Sequence, residues 1–306
     1  MRKYTTIIFL LVFVFGNLFA QETEEQTPEE KDKPVRSPFE SGYLIDNQTS
    51  FIPTAKTLEY VIQHKFGSIG NGKSDLWGIY APGANIRIGL NYVVAKNMQI
   101  GWGIAKKNKY NDFNAKWTIL EQTRKNTIPV AVTLYGNFAI VGRPLSAFES
   151  GKVQRAFQTD ASYDYKFSDR ISYFSQLIVG RKFCDRFTMQ TAVSFTHFNS
   201  VAMGMDHDKI GLHLNGRIKV SPQGSVVFNY DAPLKIKSIS EQVEWYNHPE
   251  PNLSFGYEIS TSTHAFQIYM GNSDGIIPQE IMMNNLNKIT KDSFAIGFTI
   301  TRLWSF

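Results

Sequence analysis

Hydrophobic and polar residues alternate one for one along most of the chain. In the stretch 293–306, Phe294, Ile296, Phe298, Ile300, Trp304 and Phe306 share one parity, while Ser293, Ala295, Gly297, Thr299 and Thr301 take the other. Side chains of a strand point alternately to its two faces, so this pattern predicts a strand with one apolar and one small, polar face. The alternation starts at Thr57, where Leu58, Tyr60, Ile62 and Phe66 oppose Glu59, Gln63 and Lys65. It returns with Ile86, Ile88, Leu90 and Tyr92 against Arg87 and its neighbours, then at 98–105 and 113–119. Further segments follow at 128–136, 171–181, 187–197, 210–220, 225–231, 253–260 and 264–271. Together these predict about twelve strands of roughly nine to eleven residues.

One alternating strand also suits a soluble sandwich; the spacing of the segments separates the two readings. Connections alternate between short (95–97, 121–127, 182–186, 221–224, 261–263) and longer (67–83, 106–112, 137–170, 198–209, 232–252, 271–292). Tight turns on one side and generous loops on the other are the wiring of an outer-membrane barrel. The expected fold is therefore all-β, a transmembrane antiparallel up-and-down β-barrel with lipid outside and polar side chains within. Tyr60, Trp102, Trp117, Phe187, Tyr257 and Trp304, near strand ends, would form its interfacial girdles.

The N-terminal region fixes the expected compartment. Arg2 and Lys3, the apolar run 7–15 and Ala20 have the three parts of a secretory signal peptide, with cleavage expected after Ala20. No later stretch reaches the ~18 apolar residues of a helical span. The acidic, proline-bearing stretch 21–40 opens what reads as a disordered leader over 21–52, ahead of a barrel over 53–306. The protein is expected in the outer membrane with both termini in the periplasm.

Composition removes other classes. The single cysteine, Cys184, rules out an internal disulfide framework. A formal charge of +5, reduced further when Arg2 and Lys3 leave with the signal, is too small and too dispersed to argue for nucleic acid. Mean hydropathy of −0.24 is no objection to a membrane barrel, whose apolar residues hide in alternation.

The segments HKFG (64–67), ANIRIGLNY (84–92), SYFSQLIVGRKF (172–183), HAFQIYMGNS (264–273) and GFTITRLW (297–304) carry a resemblance. They resemble landmarks of a family of Gram-negative outer-membrane β-barrel proteins of unknown function. The likeness spans roughly 51–306 and implies a barrel and its location, with no activity or site residues to transfer.

Candidate chemistry is sparse. Residues 67–74 (GSIGNGKS) satisfy the P-loop pattern literally, but the Gly and Pro of 75–83 break the helix that such a loop needs. His197 has a serine nearby as in barrel lipid hydrolases, yet Ser200 falls on the opposite strand face. Met203, Met205, Asp206, His207 and Asp208 match no metal-site spacing. No catalytic, cofactor or metal residue is assigned.

The remaining constellation faces inward. Parity puts Glu59, Lys65, Arg87, Lys116, His213, Arg217, Lys219, Asp231 and Glu258 in the lumen. Two readings stay open: a basic interior that passes small anionic solutes, or charges that pair across a closed, non-conducting barrel displaying its loops. Surface lipid hydrolysis is a distant third. Expected partners are outer-membrane lipid, small solutes, and the barrel-assembly machinery, which would engage the C-terminal strand through Phe298, Ile300, Trp304 and Phe306.

Overall fold

The computed structural model describes residues 32–149, 151–155, 164–240 and 248–306. The expected signal peptide (1–20) and the leader up to residue 31 lie outside the described residues. Over Lys33–Phe306 the chain forms one compact unit. Its body is a closed barrel of twelve strands. They are β1 (Thr57–Ser68), β2 (Asn85–Ala95), β3 (Met98–Ala105), β4 (Tyr110–Leu120), β5 (Ala131–Val141) and β6 (Ile171–Lys182). The second half comprises β7 (Phe187–Phe198), β8 (Asp208–Lys219), β9 (Gly224–Pro233), β10 (Asn252–Ser260), β11 (His264–Gly271) and β12 (Ala295–Ser305). Each pairs antiparallel with the next, and β12 returns to β1 with Thr57 opposite Ser305, so no barrel strand keeps an unpaired edge.

The predicted faces hold. Ile88, Leu90, Trp102, Phe113, Trp117, Leu134, Leu177 and Phe255 are exposed on the outside, while Glu59, Gln63, Asn91, Asp112 and Thr133 are buried. A soluble protein would invert this distribution; lipid-facing walls require it. No helix among the described residues is long and apolar enough to cross a membrane.

Loop lengths segregate largely as expected, except that 121–130 on the tight rim is longer than 106–109 on the other. One rim carries 96–97, 121–130, 183–186, 220–223 and 261–263; the other carries 69–84, 106–109, 142–170, 199–207, 234–251 and 272–294. In the two-residue hairpin at 96–97, Asn97 takes φ 61°, the left-handed geometry that Asn tolerates and a tight turn demands.

The expected leader needs correction. Residues 41–50 are all buried, and Tyr43–Leu44 pairs with Asn47–Gln48 as a small hairpin inside the barrel. The physical reason is that Phe39, Leu44 and Ile45 have an apolar seat, Val227 and Tyr269 on the inner wall, with Phe51 packed alongside. The segment 39–52 is thus a plug, and the disordered-leader reading fails there.

A candidate functional site: the filled lumen

The plug meets the wall through hydrogen bonds and charge. Gly42 N–H donates to Glu59 Oε1 (3.1 Å), and Ile45 N–H to Gln267 Oε1 (2.7 Å). Asp46 faces Lys65 at 2.9 Å, and the Lys65 ammonium also donates to the Ser273 carbonyl at 3.0 Å. Lys116 donates to the Gly42 carbonyl and Gln48 Oε1 at 3.3 and 3.1 Å. Asn47 donates to Asn229 and, at 2.6 Å, to Asp231. Ser50 closes the series, its N–H on Gln190 Oε1 and its carbonyl taking the Thr118 hydroxyl.

Wall residues complete the network. Arg87 holds Asp112 bidentately, Nε at 2.7 Å and Nη2 at 2.6 Å, the strongest geometry for such a pair. Arg217 reaches Glu40 at 2.9 Å and Glu258 at 3.9 Å. Glu59 also accepts from Asn91 and Gln99 at 3.0 and 2.9 Å. Of the nine charged residues predicted to line the lumen, eight are buried in this network. The exception is Lys219, half-buried at the tight-turn end of β8, where its N–H bonds the Arg186 carbonyl. Parity faced it inward, but the wall ends before it reaches the network.

The long-loop side is filled differently. The connection 272–294 dips into the barrel and carries a short helix, Pro278–Met283, most of whose residues are buried. Ile277 packs on Ala105, Tyr110 and Ala139. Met282 packs on Tyr135, Phe174, Ile178 and Ala192. Met283 meets Phe198 and Val201. Gln279 and Glu280 bridge back to the wall, Gln279 to Asn137 Oδ1 at 2.7 Å and Glu280 to the Tyr110 hydroxyl at 2.8 Å. Where the two fillings meet, a void of only ≈ 10 Å³ remains among Tyr43, Asp46, Gln63, Arg87, Ile276 and Ile277.

Three strands also bring together a serine, a histidine and an aspartate. Ser194 Oγ lies 2.7 Å from His213 Nε2, and His213 Nδ1 lies 2.6 Å from Asp231 Oδ1. The order matches a nucleophile, base and carboxylate. All three are buried, and the Met282 methyl and the Ser194 hydroxyl both crowd Gly211. Asp231 further accepts from Asn47, Asn229 and Asn252, so the trio belongs to the hydrogen-bond web that ties the plug to the wall.

The other motifs resolve locally. After Ser68 the literal P-loop match forms two three-residue 3₁₀ turns, Ile69–Asn71 and Lys73–Asp75. His197 spends both ring nitrogens on Asp208 (2.7 Å) and Asn199 (2.9 Å), and Ser200 belongs to a separate short strand paired with Val153–Arg155. On β12, Phe298, Ile300 and Trp304 lie on the outward face, and Phe306 beyond it is 81% exposed.

Sequence reasoning missed the partners: Glu40, Asp46 and Asn47 in the plug, Asp112, Asn229 and Asn252 on the wall. A signal existed. Tyr135, Phe174, Ile178, Val227 and Tyr269 are apolar or aromatic residues on the inward parity of their strands, out of place in a water-filled lumen.

A closed, lipid-facing wall around a packed polar interior defines a membrane-crossing β-barrel. The chain belongs to the DUF5777 family, described as a membrane bound beta barrel domain, whose profile matches residues 39–304. The match begins at Phe39, the first apolar anchor of the plug. No curated protein matches the sequence. Among solved structures, similarity extends to an outer membrane channel from Pseudomonas putida F1, at 10% identity and TM-score 0.47 over 83% of this chain and 97% of that one. It extends also to the NanC porin (5%, 0.45, 81% and 99%) and the KdgM porin (7%, 0.42, 82% and 99%).

Proposed function

We propose that this protein is an outer-membrane barrel, its tight-turn rim and both ends toward the periplasm, that rests closed to ions and presents its long loops outward without catalysing a reaction. The observation that carries this reading is the seating of 39–52 across the lumen, with Asp46 on Lys65 and the plug backbone on Glu59 and Lys116. A standing passive channel for small anionic solutes fits less well. The buried cations Lys65, Arg87, Lys116 and Arg217 already have acceptors, and the void beside Arg87 is only ≈ 10 Å³. Support for the orientation comes from the segregated loop lengths. The outward face made by Phe298, Ile300 and Trp304, with Phe306 following, suits engagement by barrel-assembly machinery.

Planar-bilayer recording tests the reading. The intact protein should insert without conductance steps, and a variant lacking both 39–52 and the helix 278–283 should conduct. Ohmic, anion-selective current from the intact protein would replace the closed barrel with a pore.

A second observation favours ligand display at the long-loop rim. A cavity of ≈ 410 Å³ lies there, lined by Tyr110, Phe148, Phe198, Met205, Glu280 and Met283 among others, a size that suits a small molecule.

A further inference from the structure

At the tight-turn rim three segments meet: the chain at 33–36, the connection 121–130 between β4 and β5, and the turn 183–186 between β6 and β7. They are bonded together. Val35 N–H donates to the Gln122 carbonyl (2.8 Å) and Arg124 N–H to the Lys33 carbonyl (2.9 Å). The Gln122 amide donates to the Lys182 carbonyl at 2.9 Å and accepts from its N–H at 2.7 Å. Between them lies an open groove of ≈ 760 Å³.

The groove is rich in cations and poor in counter-charge. Arg36, Arg124, Arg181 and Lys182 line it, and Asp185 is the one carboxylate among its lining residues. Asp185 meets Lys182 at 3.3 Å and is otherwise fully in water. Arg124 spends Nε on the Pro34 carbonyl at 3.1 Å, and Arg181 spends Nη2 on Asn126 Oδ1 at 3.4 Å. Among the described residues, Arg181 Nε is buried without an acceptor. A guanidinium has five N–H donors, so both arginines hold most of theirs in reserve. At the opposite rim the balance differs: Lys107 is shared by Asp274 and Glu280, Lys152 meets Glu149, and Arg155 meets Asp169.

The groove also opens onto the greasy wall. Arg181 and Phe183 share the outward parity at the end of β6, with the guanidinium 5.5 Å from the ring centroid. Phe183 is 54% exposed and stacks on Phe187 at 5.4 Å. Basic and aromatic side chains at a strand end mark the level where acyl chains give way to headgroups. A ligand that fits both halves has an anionic head and an apolar tail.

We propose that this groove binds the phosphate of an anionic phospholipid, held between Arg124 and Arg181, with its acyl chains running along the wall past Phe187 and Met189. Guanidinium forks match phosphate oxygens bidentately, and the neighbouring Arg36 and Lys182 add attraction. The site needs only that the wall crosses a bilayer; it is independent of whether the lumen conducts.

Native mass spectrometry of the folded full chain, with phosphatidylglycerol or phosphatidylcholine of matched chain length added, tests it. The intact protein should retain phosphatidylglycerol preferentially. The R124Q/R181Q double variant should bind it roughly thirtyfold more weakly, the worth of two interfacial charges. Lys291→Gln at the opposite rim should change nothing, and R124K/R181K should keep most of the preference. Cys184 lines the groove and is the only cysteine, so a bulky maleimide on it should block the lipid even if the double variant fails to fold. Equal retention of the two lipids by the intact protein overturns the proposal. So does undiminished phosphatidylglycerol binding by folded R124Q/R181Q or by the labelled protein. Complete displacement by equimolar inorganic phosphate would show that the acyl chains contribute nothing, and would overturn the lipid as occupant.

Discussion

The lumen is filled from both rims, by unlike means. The plug 39–52 enters with Asp46 and a run of backbone and amide hydrogen bonds, and buries a small apolar cluster led by Phe39, Leu44 and Ile45. The helix Pro278–Met283 enters with Ile277, Met282 and Met283 fitted into inner-wall clusters. Water treats the two differently. Behind a departing plug it can solvate Lys65, Lys116 and Glu59, replacing the lost hydrogen bonds, so most of the binding is an exchange of partners. Behind the helix it would meet Tyr135, Phe174 and Ile178, where an emptied site stays costly. The polar half is therefore the releasable one and the apolar half the fixed one.

Asp46→Ala should break this comparison open with the largest effect. While the plug stays seated, Lys65 loses its carboxylate in a buried setting, a change that costs roughly 3–5 kcal/mol. Withdrawal of the plug relieves it. Amides of 41–50 should exchange hydrogen far faster than in the parent, with the strands still protected and, since the helix still fills the long-loop side, without current in bilayers. Uniform loss of protection across plug and wall would mean that the two are one cooperative body.

Met282→Ala sharpens the other half. It leaves a cavity among Tyr135, Phe174, Ile178 and Ala192, worth roughly 2–5 kcal/mol. The urea midpoint of the barrel should fall, and current should stay absent, since an apolar void does not fill with water. Asn47→Ala comes next, at roughly 1 kcal/mol, because Asp231 keeps His213, Asn229 and Asn252 as donors. A loss of several kcal/mol in its unfolding free energy would show that Asn47 alone ties the plug to the Ser194–His213–Asp231 web.

The wall was legible in the sequence because a period of two survives any loop: the inward charges named from parity are buried, apart from Lys219 at the end of its strand. What parity cannot supply is the partner. Asp46 and Glu40 come from a stretch that reads as acidic leader, and Glu280 from what reads as loop, so the interior looked more basic than it is. Three apolar anchors in 39–52 are too few to announce folding. The inward Val227 and Tyr269 were the better sign, since an apolar residue on a wet face needs a cover. Arg181 and Arg302 were missed for the opposite reason: on the lipid-facing parity a cation reads as an error, yet each lies over an aromatic ring two residues on, Arg302 at 4.8 Å from Trp304.

The smallest expected effect concerns pH and the long-loop rim. His207 sits just before β8, buried, with Nδ1 2.7 Å from the Phe198 carbonyl. Burial holds its pKa below the ordinary histidine value; nearby His197 acts the same way, and the Phe198 carbonyl and Asp208 oppose them. The unfolded loop would thus bind a proton at a pH where the folded one does not, so acidification through the histidine range weakens the local fold. Backbone amides around Ser200–Ala202 should lose protection as pH falls, and His207→Gln should flatten that dependence while the plug and the barrel wall keep theirs. A pH response confined instead to 41–50 would place the acid-sensitive element in the plug, and the long-loop rim would no longer be the more easily loosened end on acidification.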